Sequence, residues 1–240
     1  MKKIWLYMVA FNEEKLLVTN LEYYKDKLAK VIIYDHMSTD RTVEIAKSYG
    51  AEVRMLDTGG KIDDEILLHI KNTAWRESIG LADAVIVSDV DEILWHPQFN
   101  EHVENVLNAG FNLIEAKHSF MPTTYSPKLD ELRGAADACT AKPLMFNPNV
   151  IDINYCIGAH SCTPKGPVKI NRDFVYFHSH YSLGVDEVYR RRVVNASRLS
   201  DKNKKKGWGV HYTYSKEQTQ LEYDRLAQHE EPFSSHKWDL

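Results

Sequence analysis

The chain has 240 residues, of which 43% are hydrophobic and 11% aromatic, enough for one globular domain with an ordinary core. Net charge is −4 and the 30 basic residues are dispersed, a pattern that excludes a nucleic-acid-binding footprint. Three cysteines (Cys139, Cys156, Cys162) form no CxxC pair and leave one over in any disulfide scheme, as expected of a reduced, cytoplasmic protein.

The opening stretch, "MKKIWLYMVAFNEE", imitates the front of a signal peptide. No small-residue cleavage site follows, however, and Asn12-Glu13-Glu14 interrupts the apolar run, so "KIWLYMVA" reads as a buried first strand. No stretch approaches the roughly 18 apolar residues of a membrane helix, although peripheral membrane association stays compatible with the composition.

From here helices and strands alternate. Residues 13–28 carry Leu16, Leu17, Leu21, Tyr24 and Leu28 at helical spacing, and "KVIIYD" (30–35) is a second strand. A short helix is expected over 39–49, with Ser38 or Asp40 available to cap it. "AEVRML" (51–56) is a third strand. A longer helix over 62–79 (Ile66, Leu67, Ile70, Ala74, Ile79) precedes the fourth strand, "ADAVIVSD". Val/Ile-rich runs separated by amphipathic helices indicate a mostly parallel sheet covered on both faces, whose ligands sit at the carboxyl ends of the strands.

Beyond Leu94 the spacing predicts a helix over 98–109, a strand over 111–118 and a long irregular stretch, 119–172, that holds six of the eight prolines. A strand over 173–183 and helices over 185–205 and 215–229 complete the chain. The run Lys204-Lys205-Lys206 reads as a solvated helix end before Gly207.

The fourth strand runs into Asp89-Val90-Asp91-Glu92. In extended backbone alternate side chains share a face, so Asp89 and Asp91 can point together and offer hard oxygen ligands to Mg²⁺ or Mn²⁺. Farther on, "FHSHY" puts His178 and His180 two apart on the predicted strand, a spacing that also suits a metal.

Three ordered segments, "VAFNEE", "IYDHMSTDRT" and "ADAVIVSDVDEIL", resemble the donor-binding half of family 2-like glycosyltransferases with the GT-A fold. The likeness covers residues 3 to 118. It implies one GT-A (Rossmann-like) α/β domain over 1–240: a mostly parallel sheet flanked by helices, with a nucleotide-sugar-binding half (1–118) and a loop-rich acceptor-side half with C-terminal helices (119–240). It also implies transfer of a sugar, with inversion, from a nucleotide-diphosphate sugar to a glycan or other hydroxyl acceptor.

By the same resemblance Ala10, Phe11, Asn12 and Glu13 line the nucleotide pocket, Asp35 contacts the base, and Asp89 and Asp91 match the metal-binding Asp-x-Asp motif. Lys71 (in Lys71-Asn72) and Arg191 (in Arg190-Arg191-Arg192) are expected at the diphosphate, while His180 first, then His178 and His160, would complete the shell of Mn²⁺ or Mg²⁺. The family's Glu-Asp pair after the metal motif is missing, so Asp130, Glu131 and Asp137, with Glu115 behind them, stand as candidates for the base that deprotonates the acceptor. A nucleotidyltransferase of related fold is the runner-up, opposed by the absence of glycine in "VAFNEEKL". A nucleotide-sugar-binding protein without catalysis and a zinc hydrolase built on His178 and His180 are further alternatives.

Overall fold

The structure, a computed structural model, describes residues 1–139 and 142–240. Its strands are β1 (Ile4–Ala10), β2 (Lys30–Asp35), β3 (Glu52–Met55), β4 (Ala84–Asp89), β5 (Glu92–Trp95), β6 (Leu113–Ile114), β7 (His118–Pro122), β8 (Arg133–Ala136), β9 (Met145–Phe146), β10 (Asp152–Tyr155), β11 (Cys162–Lys165), β12 (Ile170–Asn171), β13 (Val175–His178) and β14 (Glu231–Pro232). The α-helices are α1 (Glu14–Tyr24), α2 (Thr42–Ser48), α3 (Asp64–Thr73), α4 (Phe99–Asn108), α5 (Val185–Arg198), α6 (Asp201–Lys206) and α7 (Lys216–Ala227).

Seven strands form the central sheet in the order β12-β6-β9-β4-β1-β2-β3, parallel throughout except for β9, which runs antiparallel between β4 and β6. Five strands (β14-β8-β7-β13-β5) make a second sheet, and β10 and β11 a separate hairpin. The expected mostly parallel α/β architecture is therefore what the chain adopts.

The period of two explains the layering. Ile4, Leu6, Met8 and Ala10 of β1 point to one face, with Ala84 and Ile86 of β4, and α1 and α4 cover them through Leu17, Leu21, Phe99 and Val103. Tyr7, Val85 and Val87 point to the other face, under Trp75, Ile153 and Tyr155. Each fully buried aliphatic or aromatic side chain contributes about 1.5–3 kcal/mol by leaving water. The first cluster runs on to Phe177 and Phe233, so the two halves of the chain share one core.

Several expectations need correction. The helix predicted over 62–79 ends at Thr73 and continues as a 3₁₀ turn over Ala74–Ser78, and its apolar side is only partly covered: Leu68 and Ala74 pack on the sheet, whereas Ile66 and Ile79 are 41% and 50% exposed. The strand predicted over 111–118 is split, because Glu115–Lys117 cross from the central sheet to the second one. The stretch 119–172 contains strands, short ones that alternation over so few residues does not reveal. Leu199 and Ser200 break the helix predicted over 185–205 into α5 and α6. Lys204–Lys206 do close a helix, with Gly207 in the left-handed conformation (φ 67°) that favours glycine at that position.

Acid sensitivity is built in beside α4. His96 is 8% exposed, stacks on His102 at 3.9 Å, packs on Phe174, and accepts the Gln98 amide on Nδ1 at 3.1 Å. Burial, helped by the His102 charge, pushes its pKa down to about 4. The unfolded chain takes up this proton below about pH 6.5 and the folded one does not, so stability falls as pH drops from about 6.5 toward 4, by at most about 3 kcal/mol. Thermal melts over that range are expected to show the loss. His96→Asn, which keeps an acceptor for Gln98 without titrating, should flatten the slope.

Candidate functional site

The carboxyl ends of β1, β2 and β4 open onto a cleft of about 760 Å³. The chain leaves β1 toward β2 and β3 on one side and returns to β4 on the other, so the cleft lies at the switch point where doubly wound sheets bind ligands.

Two loops form its first wall. Asn12 takes a left-handed turn (φ 53°), its side chain accepts the Thr39 amide at 2.7 Å, and its own amide donates to Ser38 Oγ at 2.9 Å. Asp40 and Thr42 accept the Glu14 and Glu13 amides at the start of α1, and Asp40 Oδ1 also accepts the Thr42 amide at 2.9 Å, the capping role at α2 expected of it. Ala10, Phe11, Asn12 and Glu13 all line the cleft, and the Arg198 guanidinium lies over the Phe11 ring at 3.2 Å. Asp35 stands behind that wall, 1% exposed. One oxygen accepts the Ser38 amide at 3.1 Å, and Oδ1 has no partner among the described residues.

The acids ending β4 each have a different partner set. The fourth strand stops at Asp89, a turn holds Val90 and Asp91, and Glu92 begins β5. Asn20 clamps this turn from α1, donating to the Val90 and Glu92 carbonyls at 3.0 and 2.9 Å. Asp89, 36% exposed at its side chain, accepts from Lys71 Nζ at 2.7 Å and Lys142 Nζ at 3.4 Å. Burial would raise its carboxyl pKa, but the two ammonium groups outweigh it and lower it. Glu92, 1% exposed, takes the Asp89 amide at 2.9 Å, the Tyr176 hydroxyl at 2.8 Å and Lys142 in a buried ion pair.

Asp91 faces histidines. β5 and β13 pair antiparallel with His178 opposite Glu92, and the Ser179 amide donates to the Asp91 carbonyl at 2.7 Å. The two rings that flank Ser179 therefore close on one carboxylate: His178 Nε2 lies 3.5 Å and His180 Nδ1 3.8 Å from Asp91 Oδ2. Strand alternation does not produce this, because His178 ends β13 and His180 sits in a 3₁₀ turn. Burial opposes charge on Asp91, yet the two histidines hold its carboxyl well below the usual range, and Asp91 in return lifts His178 to about 10 against its own burial. One ligand atom from each of Asp91, His178 and His180 lies within 4.8 Å of the others, a spacing that suits one cation. The single carboxylate offers a hard oxygen ligand of the kind that suits Mn²⁺ or Mg²⁺, while the two imidazoles suit zinc and other transition metals better than a pure oxygen site does. Asp89, the other expected ligand, stands outside this group and keeps its lysines.

All three arginines border the cleft, and Arg191 pairs there with Glu13. Burial, with the Asp91, Asp40 and Asp89 charges, outweighs Arg191 and pushes Glu13 up to about 8. Arg190 is held by Glu187, and Arg192, 4% exposed, reaches Thr219 and Glu222 on α7 at 2.7 and 2.8 Å. Asn72 binds both backbone groups of Tyr155 and so anchors the hairpin rather than the cleft. His160 lines the cleft.

The proposed catalytic acids are not brought to it. Asp130 and Glu131 lie in a 3₁₀ turn, where Glu131 pairs with Lys128 at 3.2 Å and accepts from Ser126 at 2.7 Å. Asp137, 60% exposed, faces His118 at 3.3 Å, and Glu115 holds Arg172 at 2.9 Å. None of the four lines the cleft, which instead presents Glu13, Asp64 and Glu222 besides the strand-end acids. Lys142, Arg198 and Tyr212 on its walls carried no motif; a single lysine before the apolar "PLMF" was the one trace of Lys142.

No protein-family model matches the chain. It is 34% identical over 94 residues to an uncharacterized glycosyltransferase of Rickettsia typhi, an alignment that covers 39% of this chain and 30% of that relative's length. The curated relative thus carries the same activity name as the family its motifs resemble. Among solved structures, glucosyl-3-phosphoglycerate synthase from Mycobacterium tuberculosis, in complex with Mn²⁺, uridine diphosphate and glucosyl-3-phosphoglycerate, aligns at 23% identity and a TM-score of 0.33 over 50% of this chain and 44% of its own. S. aureus TarS aligns at 12% identity and 0.47 over 82% and 41%. The chain spans less than half the length of each of these proteins.

The arginines separate by role. Arg192→Met removes a buried pair that ties α5 to α7 and is expected to lower stability by about 3 kcal/mol in urea unfolding. Arg191→Met leaves a glutamate that burial already favours as the neutral acid, so its cost should be below about 1 kcal/mol.

Proposed function

We propose that the chain is a glycosyltransferase that moves a sugar from a nucleotide-diphosphate sugar to a hydroxyl acceptor. The observation that carries this reading is the meeting of Asp91, His178 and His180 beside Lys71 and Arg191, in a crevice at the carboxyl ends of parallel strands. The 94-residue likeness to a named glycosyltransferase supports it independently.

Asp91, His178 and His180 would hold a divalent cation, Mn²⁺ or Mg²⁺, which when bound neutralises diphosphate oxygens. The chain's own groups do the rest. Phe11 with Arg198 above it forms one flat wall for a nucleobase. Asp35 would serve the base pocket by shaping its wall from behind, where it accepts the Ser38 amide at 3.1 Å. Arg191 and Lys71 stabilise the charge that gathers on the departing diphosphate. Inversion needs a carboxylate facing the acceptor, and Glu13, Asp64 and Glu222, which border the cleft, replace Asp130, Glu131 and Asp137 in that search. Glycan or polysaccharide synthesis is the setting that suits such a reaction. Among the described residues no helix is long and apolar enough to cross a membrane.

Purified protein with Mn²⁺ and a panel of nucleotide sugars is expected to release nucleoside diphosphate. Asp91→Ala should reduce kcat/KM by at least about 100-fold, on the order of 3 kcal/mol of transition-state stabilisation. An undiminished variant overturns the reading, and pyrophosphate released from a nucleoside triphosphate instead points to a nucleotidyltransferase.

A further inference from the structure

We propose that Lys142 is a phosphate-binding residue, and that with Lys71 it lets the cleft hold a diphosphate without a divalent ion. The inference rests on the reading of the cleft as a site for a diphosphate-bearing donor, and it adds a residue and a charge balance that the motifs do not contain.

Lysine ammonium groups have three N–H donors. Among the described residues Lys142 directs two of them, to Glu92 and Asp89, the latter at a long 3.4 Å, and Lys71 directs one, to Asp89 at 2.7 Å. Both side chains line the cleft although they are only 7% and 12% exposed. Two poorly hydrated cations thus converge on one carboxylate with N–H groups to spare, and a phosphate oxygen at that point is shared between them.

Lys142 is held there by construction. It precedes β9, whose antiparallel pairing sets Met145 beside Ile86, with Leu144 accepting the Val87 amide at 2.9 Å, so the chain runs alongside the end of β4. The Glu92 carboxylate that anchors it is 1% exposed and saturated by Tyr176 and the Asp89 amide. This cation stays charged and in place whether or not a metal is bound.

The surroundings favour an anion. Seven lysines and arginines face six aspartates and glutamates on the cleft walls, before any histidine is counted. The Glu13 carboxyl opposite Arg191 is also pushed toward its neutral form, chiefly by burial, which leaves that guanidinium charge for a ligand.

Titration calorimetry with inorganic pyrophosphate, once in EDTA and once with Mg²⁺, tests the proposal. The wild-type protein is expected to bind in EDTA, and Lys142→Met to weaken that binding at least about tenfold, the worth of one charge-assisted hydrogen bond. Because Lys142→Met strands a buried glutamate, the paired variant Lys142→Met/Glu92→Gln is measured beside it and should show the same loss. Glu92→Gln alone, which keeps the ammonium group, should retain binding. Wild-type binding only with Mg²⁺, or undiminished binding by the paired variant, overturns the proposal and leaves the donor-site reading intact. Binding under neither condition removes both.

Discussion

One contact organises the centre of this molecule: the Ser179 amide donating to the Asp91 carbonyl. It continues the β5–β13 ladder by one step beyond the Glu92–His178 pair, and in that register the two histidines flanking Ser179 close on the Asp91 carboxylate. A slip of one residue would turn His178 to the opposite face of the strand and away from that carboxylate. Asp91 would then lose His178, and Glu92 would lose the Tyr176 hydroxyl.

Like charges at the end of a buried strand are costly, and several kcal/mol per ion go into desolvation before any partner is found. The chain meets that cost differently at each acid. Glu92 points inward and is saturated by an ammonium, a phenol and a main-chain amide. Asp89 turns to the cleft between two lysines that arrive from separate elements, α3 and the segment before β9. Asp91 faces imidazoles. Each set comes from a different part of the topology, which is why the parallel half of the chain cannot build the site alone. The second sheet, the antiparallel insertion and α5 each deliver a side chain to the end of one strand.

That division explains what could be read from the sequence. Long Val/Ile runs such as those of β1, β2 and β4 announce a covered parallel sheet, and the residues at their ends are the cleft, because strand direction alone decides where they go. Strands of two to five residues carry no periodic signal, so the region from 119 to 172 looked irregular, and the second sheet with it. His178 and His180 were legible as a pair, although strand alternation is not what unites them; the pairing of β13 with β5 is. Lys142 was illegible, since a lone lysine acquires meaning only from a register set by β9 and β4. Asp130, Glu131 and Asp137 lie away from the cleft for the complementary reason: the loops that carry them are placed by strands too short to read, and there Glu131 finds Lys128 and Ser126 and Asp137 finds His118.

The partners of Asp89 and Asp91 also differ in kind, and this bears on how the cleft works. An imidazole is a ligand as well as a base, so the group formed by Asp91 and its histidines, whose ligand atoms lie within 4.8 Å of one another, could serve either as an internal ion pair or as a metal shell. An ammonium anchored on a glutamate that is 1% exposed has no such alternative. Lys142 therefore acts as permanent charge on the cleft wall, and a cation held by Asp91 and its histidines would be charge that comes and goes. Lys71 and Arg191 fall between these extremes, since each is only partly covered and each faces a carboxylate that a phosphate can replace. On the proposed reading, a diphosphate in this crevice would meet one cation fixed by Glu92 and others whose carboxylate partners it can replace, and the fixed one is ordered before the ligand arrives.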